Sequence, residues 1–502
     1  MKKFQINLFA ILFAMLLFAS GGKVLYAVNV TNFNNLNTAV HTNDSDNPIT
    51  TGAEILYTAD VTMTVASVTL RATNVAGASL NGDNLYQGFA FMLNKQLFFY
   101  GQFDFHNFYK GGPGAVIALW DSYLSFDNST VSFKLNVTTG TGGVISGVTA
   151  NILFANSTIS FSSNTAISEG GAISAIVNSR ILLDNLNIEF LRNTSLSNGG
   201  AVYLLGSSFS VNYSIFASSG NAAVGNGGSI FVQNYSSAVF NNSVAEFSYN
   251  TADGLGGAFY VDNSLLSAVD STVSFVFNTA ASGGAIYGRI SSSISFNGSS
   301  AVFISNTAIN SGGAIFNYNS NMFFNNVSAY FMANTANVGG AIFSSATNMS
   351  FTNSIIDFIL NSAGDLGGAI YSGKESIIWF NNTTMSFISN TASADGGAIY
   401  SGNLSSITFV DITSVNFISN IAFGAAGGAI YSGDNLFLSF DNTSINFVSN
   451  KAGTDGGAIY SGNLSTITFV RTSASFISNT ALSAAGGAIY SGSNLLLLFS
   501  NS

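Results

Sequence analysis

The stretch FISNTASADGGAIYSGNLSSITF, residues 387–409, is restated as FISNIAFGAAGGAIYSGDNLFLSF and again as FVSNKAGTDGGAIYSGNLSTITF. This recurrence constrains the fold more than any other feature of the chain. The first glycine of each GGA-like element falls at Gly142, Gly170, Gly199, Gly227, Gly256, Gly283, Gly312, Gly339, Gly367, Gly396, Gly427, Gly456 and Gly486, at spacings of 27 to 31 residues. Five to seven residues upstream stands the asparagine of an F-x-x-N element, from Phe133 with Asn136 to Phe476 with Asn479. The fourth copy departs from the rule, reading FASSGN from Phe216. A period of about 20 to 50 residues marks a solenoid, in which each repeat buries its faces on its neighbours.

The content of one period decides which solenoid. Helical repeats need two long segments at 3.6-residue spacing, whereas Gly-Gly and Asn-Thr or Asn-Ser turns cut each period here into short runs. Three runs recur, for example NFISN ending at Asn420, GAIYSG beginning at Gly428 and NLFLSF ending at Phe440, each rich in β-branched or aromatic residues. The leucine ladder and return helix of a leucine-rich repeat are missing. The expected fold is therefore all-β, a right-handed parallel β-helix with one three-strand coil per repeat. Equivalent residues then lie above one another. Phe387, Phe417, Phe447 and Phe476 become an internal aromatic stack, each contributing roughly 1.5 to 3 kcal/mol by burial. Asn390, Asn420, Asn450 and Asn479 become an amide ladder at a turn. The pairs Gly396 and Gly397, Gly427 and Gly428, Gly456 and Gly457, and Gly486 and Gly487 serve the next corner, where positive φ or close backbone approach excludes a side chain.

Composition sets the surface. Only 7% of the 502 residues are charged, so Ser, Thr and Asn must form most of the wetted face. The net charge of −10 is spread thinly, and no basic cluster suits nucleic acid. Cysteine is absent, so no disulfides brace the fold. At the start, Lys2 and Lys3 precede an apolar run from Leu8 to Ala19 and then small residues, the plan of a secretory signal peptide, too short to span a membrane as a helix. Ala19-Ser20-Gly21 offers small residues for cleavage, whereas cutting after Ala27 puts Leu25 at a less suitable position. The chain divides into a signal peptide at 1–27, a cap with divergent coils at 28–132, and regular repeats at 133–502 that stop where another strand is due. GGPGAVIAL, from Gly111, reads as a decayed copy within the divergent part.

Alternating F-x-x-N and G-G-A-I elements on such a repeat resemble the polymorphic membrane protein (Pmp) family of chlamydial autotransporters. The resemblance covers residues 133–502. It implies a type V secreted passenger domain, exported to the outer membrane or cell surface and acting as an adhesin or structural protein. It further implies a translocator barrel, which this sequence does not contain, so the chain reads as a fragment. The implied partner is a protein or glycan of a host or neighbouring cell.

Catalytic chemistry finds little to build on. The cations Lys95, Lys110, Lys134, Arg180, Arg192, Arg289, Lys374, Lys451 and Arg471 fall at different registers of the repeat, and His41 and His106 precede the regular coils. Glu169, Asp395 and Asp455 immediately precede glycine pairs, as turn formers do. Asp365 and Asp395 fall on adjacent coils and could approach closely enough for a weak Ca2+ site, though a turn-forming role beside glycine is the favoured reading. No cofactor and no catalytic or metal residue is expected. The most suggestive surface feature is the residue after the isoleucine of GGAI, which is Tyr371, Tyr400, Tyr431, Tyr460 and Tyr490 in the last copies and Tyr or Phe from Tyr203 onward. If the isoleucine faces the core, alternation turns these rings outward as a candidate binding stripe; if not, they are core. Two other functions share the fold: a β-helical polysaccharide lyase or hydrolase, which needs a local cluster of acids and bases, and a secreted self-associating matrix protein.

Overall fold

A computed structural model describes residues 95–502 throughout and, before them, strands between Val28 and Met92. Residues 1–27, the segment expected to be a signal peptide, and His41 lie outside the described residues. Every described element is a β-strand, and every strand pairing is parallel, so this is an all-β parallel β-helix with turns of about 28 residues. The chain divides into two compact units, residues 1–217 and 218–502.

In the first unit one coil runs through Ile145–Val148, Asn151–Ala155, Thr158–Ser162 and Thr165–Ala166. Each strand pairs without slip to its equivalent one repeat later: Ile173–Ile176, Arg180–Asp184, Asn187–Leu191 and Thr194–Ser195. The coil thus has four strands in three sheets. The two five-residue strands form one broad sheet, and the two-residue strand that follows the asparagine forms a narrow sheet of its own. Three runs were legible from sequence; the two-residue strand was not, because two residues carry no periodicity. Parallel pairing extends back to Val28–Val30 with Ile49–Thr51. In GGPGAVIAL it is Gly114, not Gly111, that takes the glycine-pair register: its φ is +63° and its strand Ile117–Trp120 pairs with Ile145–Val148.

The second unit repeats the plan. Ile370–Ser372, Ile377–Asn381, Thr384–Ile388 and Thr391–Ala392 pair with Ile399–Ser401, Ser406–Val410, Val415–Ile418 and Ile421–Ala422. The second and fourth residues of the five-residue strands point inward, as alternation demands. Ile378, Phe380, Met385 and Phe387 are all fully buried.

Three ladders hold the interior. Phe358, Phe387, Phe417, Phe447 and Phe476 stack at centroid spacings of 4.6 to 5.0 Å, with near-parallel planes. Phe351, Phe380, Phe409, Phe440 and Phe469 form a second stack at 4.8 to 5.1 Å. Edge contacts such as Phe409 to Phe417, at 6.5 Å and 78°, join the two. The third ladder is asparagine. Asn390 Nδ2 donates to Asn420 Oδ1 at 3.0 Å and to Phe358 O at 2.9 Å, while Asn390 Oδ1 accepts from the backbone and side-chain nitrogens of Asn361, both at 3.0 Å. Asn420, Asn450 and Asn479 continue the pattern. Asn136, Asn164 and Asn193 form the same ladder in the first unit. In the fourth copy, Asn221 takes the ladder position, donating to Asn250 Oδ1 at 3.0 Å, although two extra residues separate it from Phe216.

The glycine pair divides its labour. Gly396 has φ +69°, a left-handed conformation, and a Cβ there meets Ile399 O at 2.4 Å. For Gly397 the limit is the next coil, because a Cβ falls 2.2 Å from Gly428 O. The same division holds at Gly427 and Gly428 and at Gly456 and Gly457; at Gly486 φ is +75°.

Candidate functional site

The strand that follows the glycine pair settles which way its aromatics point. Ile370, Ile399, Ile430 and Ile459 are fully buried, and so are Ser372, Ser401, Ser432 and Ser461 two residues later. The tyrosine between them therefore faces outward, and Tyr371, Tyr400, Tyr431, Tyr460 and Tyr490 are half-buried. Earlier members of the same row, Phe231, Tyr260 and Tyr287, are buried.

What covers these side chains is chiefly one another. From Phe231 through Tyr260, Tyr287, Phe316, Phe343, Tyr371, Tyr400, Tyr431 and Tyr460 to Tyr490, successive rings stack at 4.5 to 5.5 Å. Tyr371 and Tyr400 are 5.0 Å apart with planes 2° from parallel. The π-faces are consumed within the ladder, so the row presents ring edges and hydroxyls to a ligand rather than platforms for stacking. Such a surface donates and accepts hydrogen bonds at one-coil intervals of about 4.8 Å.

Burial also alters the chemistry of the row. Desolvation pushes the Tyr400 hydroxyl up to about 12, with Tyr371, Asp395 and Asp365 adding to it. Tyr431 is raised further by burial and by Asp395, and Tyr371 and Tyr460 move in the same direction, again chiefly by burial. In the first unit Tyr203 is pushed up to about 12 by burial and by Glu169. The hydroxyls remain neutral donors across the physiological range.

The acidic residues beside the glycine pairs act on backbone. Asp395 Oδ1 accepts the Ala426 N–H at 2.8 Å, and Asp455 Oδ1 accepts the Ala485 N–H at 2.9 Å, each one coil along. Burial raises the Asp395 carboxyl above the usual carboxylate range; the hydrogen bond from Ala426 opposes this, and the charge of Asp365 adds to it. No group of three or more acidic or histidine side chains able to hold a metal occurs among the described residues. One polar cluster was not foreseen from the sequence. Asp262 Oδ2 accepts from Arg289 at 2.9 Å, Gln233 at 3.0 Å and Tyr260 at 3.3 Å, and the Arg289 guanidinium lies 5.8 Å from the Tyr260 ring centroid. Only the stacking of three successive coils brings these residues together. The other cations of unit two stay dispersed: Lys374 pairs with Glu375 at 3.0 Å and Arg471 with Asp441 at 2.7 Å.

Two further surfaces emerge only in three dimensions. In the first unit a trough of about 690 Å3 runs along the turn between the two strands of the broad sheet, lined by Asn128, Asn156, Asn185, Tyr213 and Ile215. In the second unit Phe323, Trp379 and Phe437 stand exposed on that sheet's outer face.

No curated protein matches the chain. Among solved structures, the PL6 family alginate lyase AlyGC is 11% identical over 94% of this chain and 100% of its own, at a TM-score of 0.20. An arginine-to-alanine mutant of AlyGC is 10% identical with the same coverage, at a TM-score of 0.22. The Chlamydia polymorphic membrane protein repeat matches residues 158–176, 384–402 and 444–462. Each match opens on the second strand of the broad sheet, at Thr158, Thr384 and Ser444, and runs through the ladder asparagine and glycine pair to the end of the following strand. At three places, and in register with its coils, the chain is therefore similar to the repeat of the Chlamydia polymorphic membrane proteins.

Proposed function

We propose that this chain is an exported cell-surface passenger, delivered by type V secretion and working as an adhesin or structural surface protein. The observation that carries this reading is the polymorphic membrane protein repeat, laid in register on a parallel β-helix. Its residues Phe387, Asn390, Gly396 and Gly397 are spent on the ladders and corners of the coil, and Tyr400 on an outer row that each further coil lengthens. Repetition of this kind extends a contact face without creating a unique catalytic centre. The partner would be a protein or glycan on a host or neighbouring cell, met by hydroxyls and ring edges along Tyr371, Tyr400, Tyr431, Tyr460 and Tyr490. Export in this reading depends on the leader at 1–27, and retention at the outer membrane on a translocator barrel.

The test is to express the gene's intact product in a bacterium with an outer membrane, then add protease to whole cells. Digestion of the repeat region without cell lysis, together with gain of binding to cultured cells, is the expected result. Protection of the repeats until the envelope is broken would overturn the reading.

A further inference from the structure

The broad sheet of the second unit carries exposed aromatics on alternate coils. Phe323 lies on Asn321–Asn325, Trp379 on Ile377–Asn381 and Phe437 on Phe437–Asp441, with exposures of 39%, 42% and 44%. Asn348–Thr352 and Ser406–Val410 are the strands between them. Phe323, Ser350, Trp379 and Thr408 share one register, and Ile377, Ser406 and Phe437 share the register two residues earlier.

These rings differ from the tyrosine ladder in one decisive respect. Phe323 is flanked along the stack by Ser295 and Ser350, Trp379 by Ser350 and Thr408, and Phe437 by Ser406 and Thr466. No aromatic occupies the same register on the neighbouring coils, so the π-faces are not spent on each other. Phe323 and Trp379 are two coil rises apart, about 9.6 Å. That is close to the length of one disaccharide in an extended 1,4-linked polysaccharide. In a β-1,4-linked chain successive rings are flipped, so every second pyranose presents the same apolar C–H face on the same side. Alternate coils would meet alternate sugars, while Asn348, Ser350, Ser406 and Thr408 offer hydrogen-bonding groups to the hydroxyls between them. A depression of about 340 Å3 lined by Asn321, Thr347, Asn348 and Glu375 adjoins the row.

Charge selects among polysaccharides. At the outward positions of these five strands the one ionisable group is Asp441, which is engaged by Arg471. Arg471 and Lys374, beside these strands, are already paired with Asp441 and Glu375, so the face carries no net positive charge for a polyanion, and an uncharged chain matches it. We propose that this face binds an extended, uncharged β-1,4-linked polysaccharide lying along the coil stack, with alternate rings packed on Phe323 and Trp379 in one register and the chain slanting two residues, about 6.6 Å, across the sheet to reach Phe437. This site lies on a different sheet from the tyrosine ladder and does not depend on it.

The chain has two tryptophans, so Trp120→Phe leaves Trp379 as the sole reporter. The full chain with that substitution is titrated with cellohexaose and chitohexaose, and co-sedimented with insoluble cellulose and chitin. The expected result is a tryptophan emission change and sedimentation with at least one of the two polymers, but no response to maltohexaose or alginate. Trp379→Ser copies the residue already present at Ser350 in the same register; it should weaken co-sedimentation about five- to tenfold with the melting temperature unchanged. If that variant melts early, Phe437→Ser supplies the same comparison. Absence of binding at millimolar oligosaccharide and to both insoluble polymers overturns the proposal. So does binding that survives both substitutions, or binding that maltohexaose or alginate reproduces equally. Because purified protein is used, the outcome is independent of whether the chain reaches a cell surface.

Discussion

At Asn390 every hydrogen-bonding group of the side chain is engaged: both amide protons donate and the oxygen accepts twice. Asn390→Leu leaves the Asn361 backbone and side-chain N–H groups and the Phe358 carbonyl without this partner, and Asn420 Oδ1 with one donor fewer, in a fully buried site. The expected loss is about 3 kcal/mol or more, read as a lower urea midpoint. Lys374→Ala removes only an exposed pair with Glu375 and should shift the midpoint by less than about 0.5 kcal/mol. The interior also holds the opposite case. Ser401 Oγ is buried and finds no hydrogen-bond acceptor or donor, so Ser401→Ala should be neutral or stabilising by up to about 1 kcal/mol. Equal effects from Asn390→Leu and Ser401→Ala would refute this account of which polar groups hold the coil. The asparagine ladder was legible in sequence because its spacing is nearly constant; the serine was not, since nothing in GAIYSG says whether its hydroxyl is matched.

For the strand after the glycine pair, the relevant variable is alkaline pH. The hydroxyl of Tyr400 is raised to about 12 in the folded chain, against roughly 10 for a free tyrosine. Between those values the unfolded chain has lost the proton and the folded chain retains it. The stabilisation is therefore fully present below about pH 10 and declines as pH rises toward 12. The melting temperature should fall over that window, and the Tyr400→Phe and Tyr431→Phe pair should flatten the fall while leaving the neutral-pH melt little changed. A slope unaffected by the pair would show that the ladder does not ionise as a buried row. Alternation alone left the direction of these rings dependent on their isoleucine neighbours. The half-buried, stacked geometry required knowing that coils sit one rise apart with identical residues in register.

Across the second unit, stability should follow the number of coils, since each touches chiefly its neighbours. Removing residues 391–420 joins Asn390 to Ile421, which pairs in register with Thr391, so Phe387 inherits Phe447 in place of Phe417. The shortened chain should keep its β circular-dichroism signal, with a denaturant m-value reduced in proportion to the surface lost. Removing 391–405 instead joins half-coils out of register and should abolish cooperative unfolding. If both deletions behave alike, the coil is not the unit of folding.

The sequence by itself determined the period, the coil and the residues that face inward, because a ladder needs the same residue at each turn and so writes itself as a repeat. Phe387, Asn390 and the glycine pair at Gly396 and Gly397 could be assigned for that reason. Tertiary structure alone decided features that depend on unlike residues meeting across coils. The Asp262, Arg289 and Gln233 cluster joins three coils whose sequences differ at those positions. Phe323, Trp379 and Phe437 are the single outward-facing aromatics of their strands, and only parallel stacking without slip sets them on one face. Repetition is visible one period at a time, whereas a surface is built from the exceptions, whose neighbours lie a whole coil away along the chain.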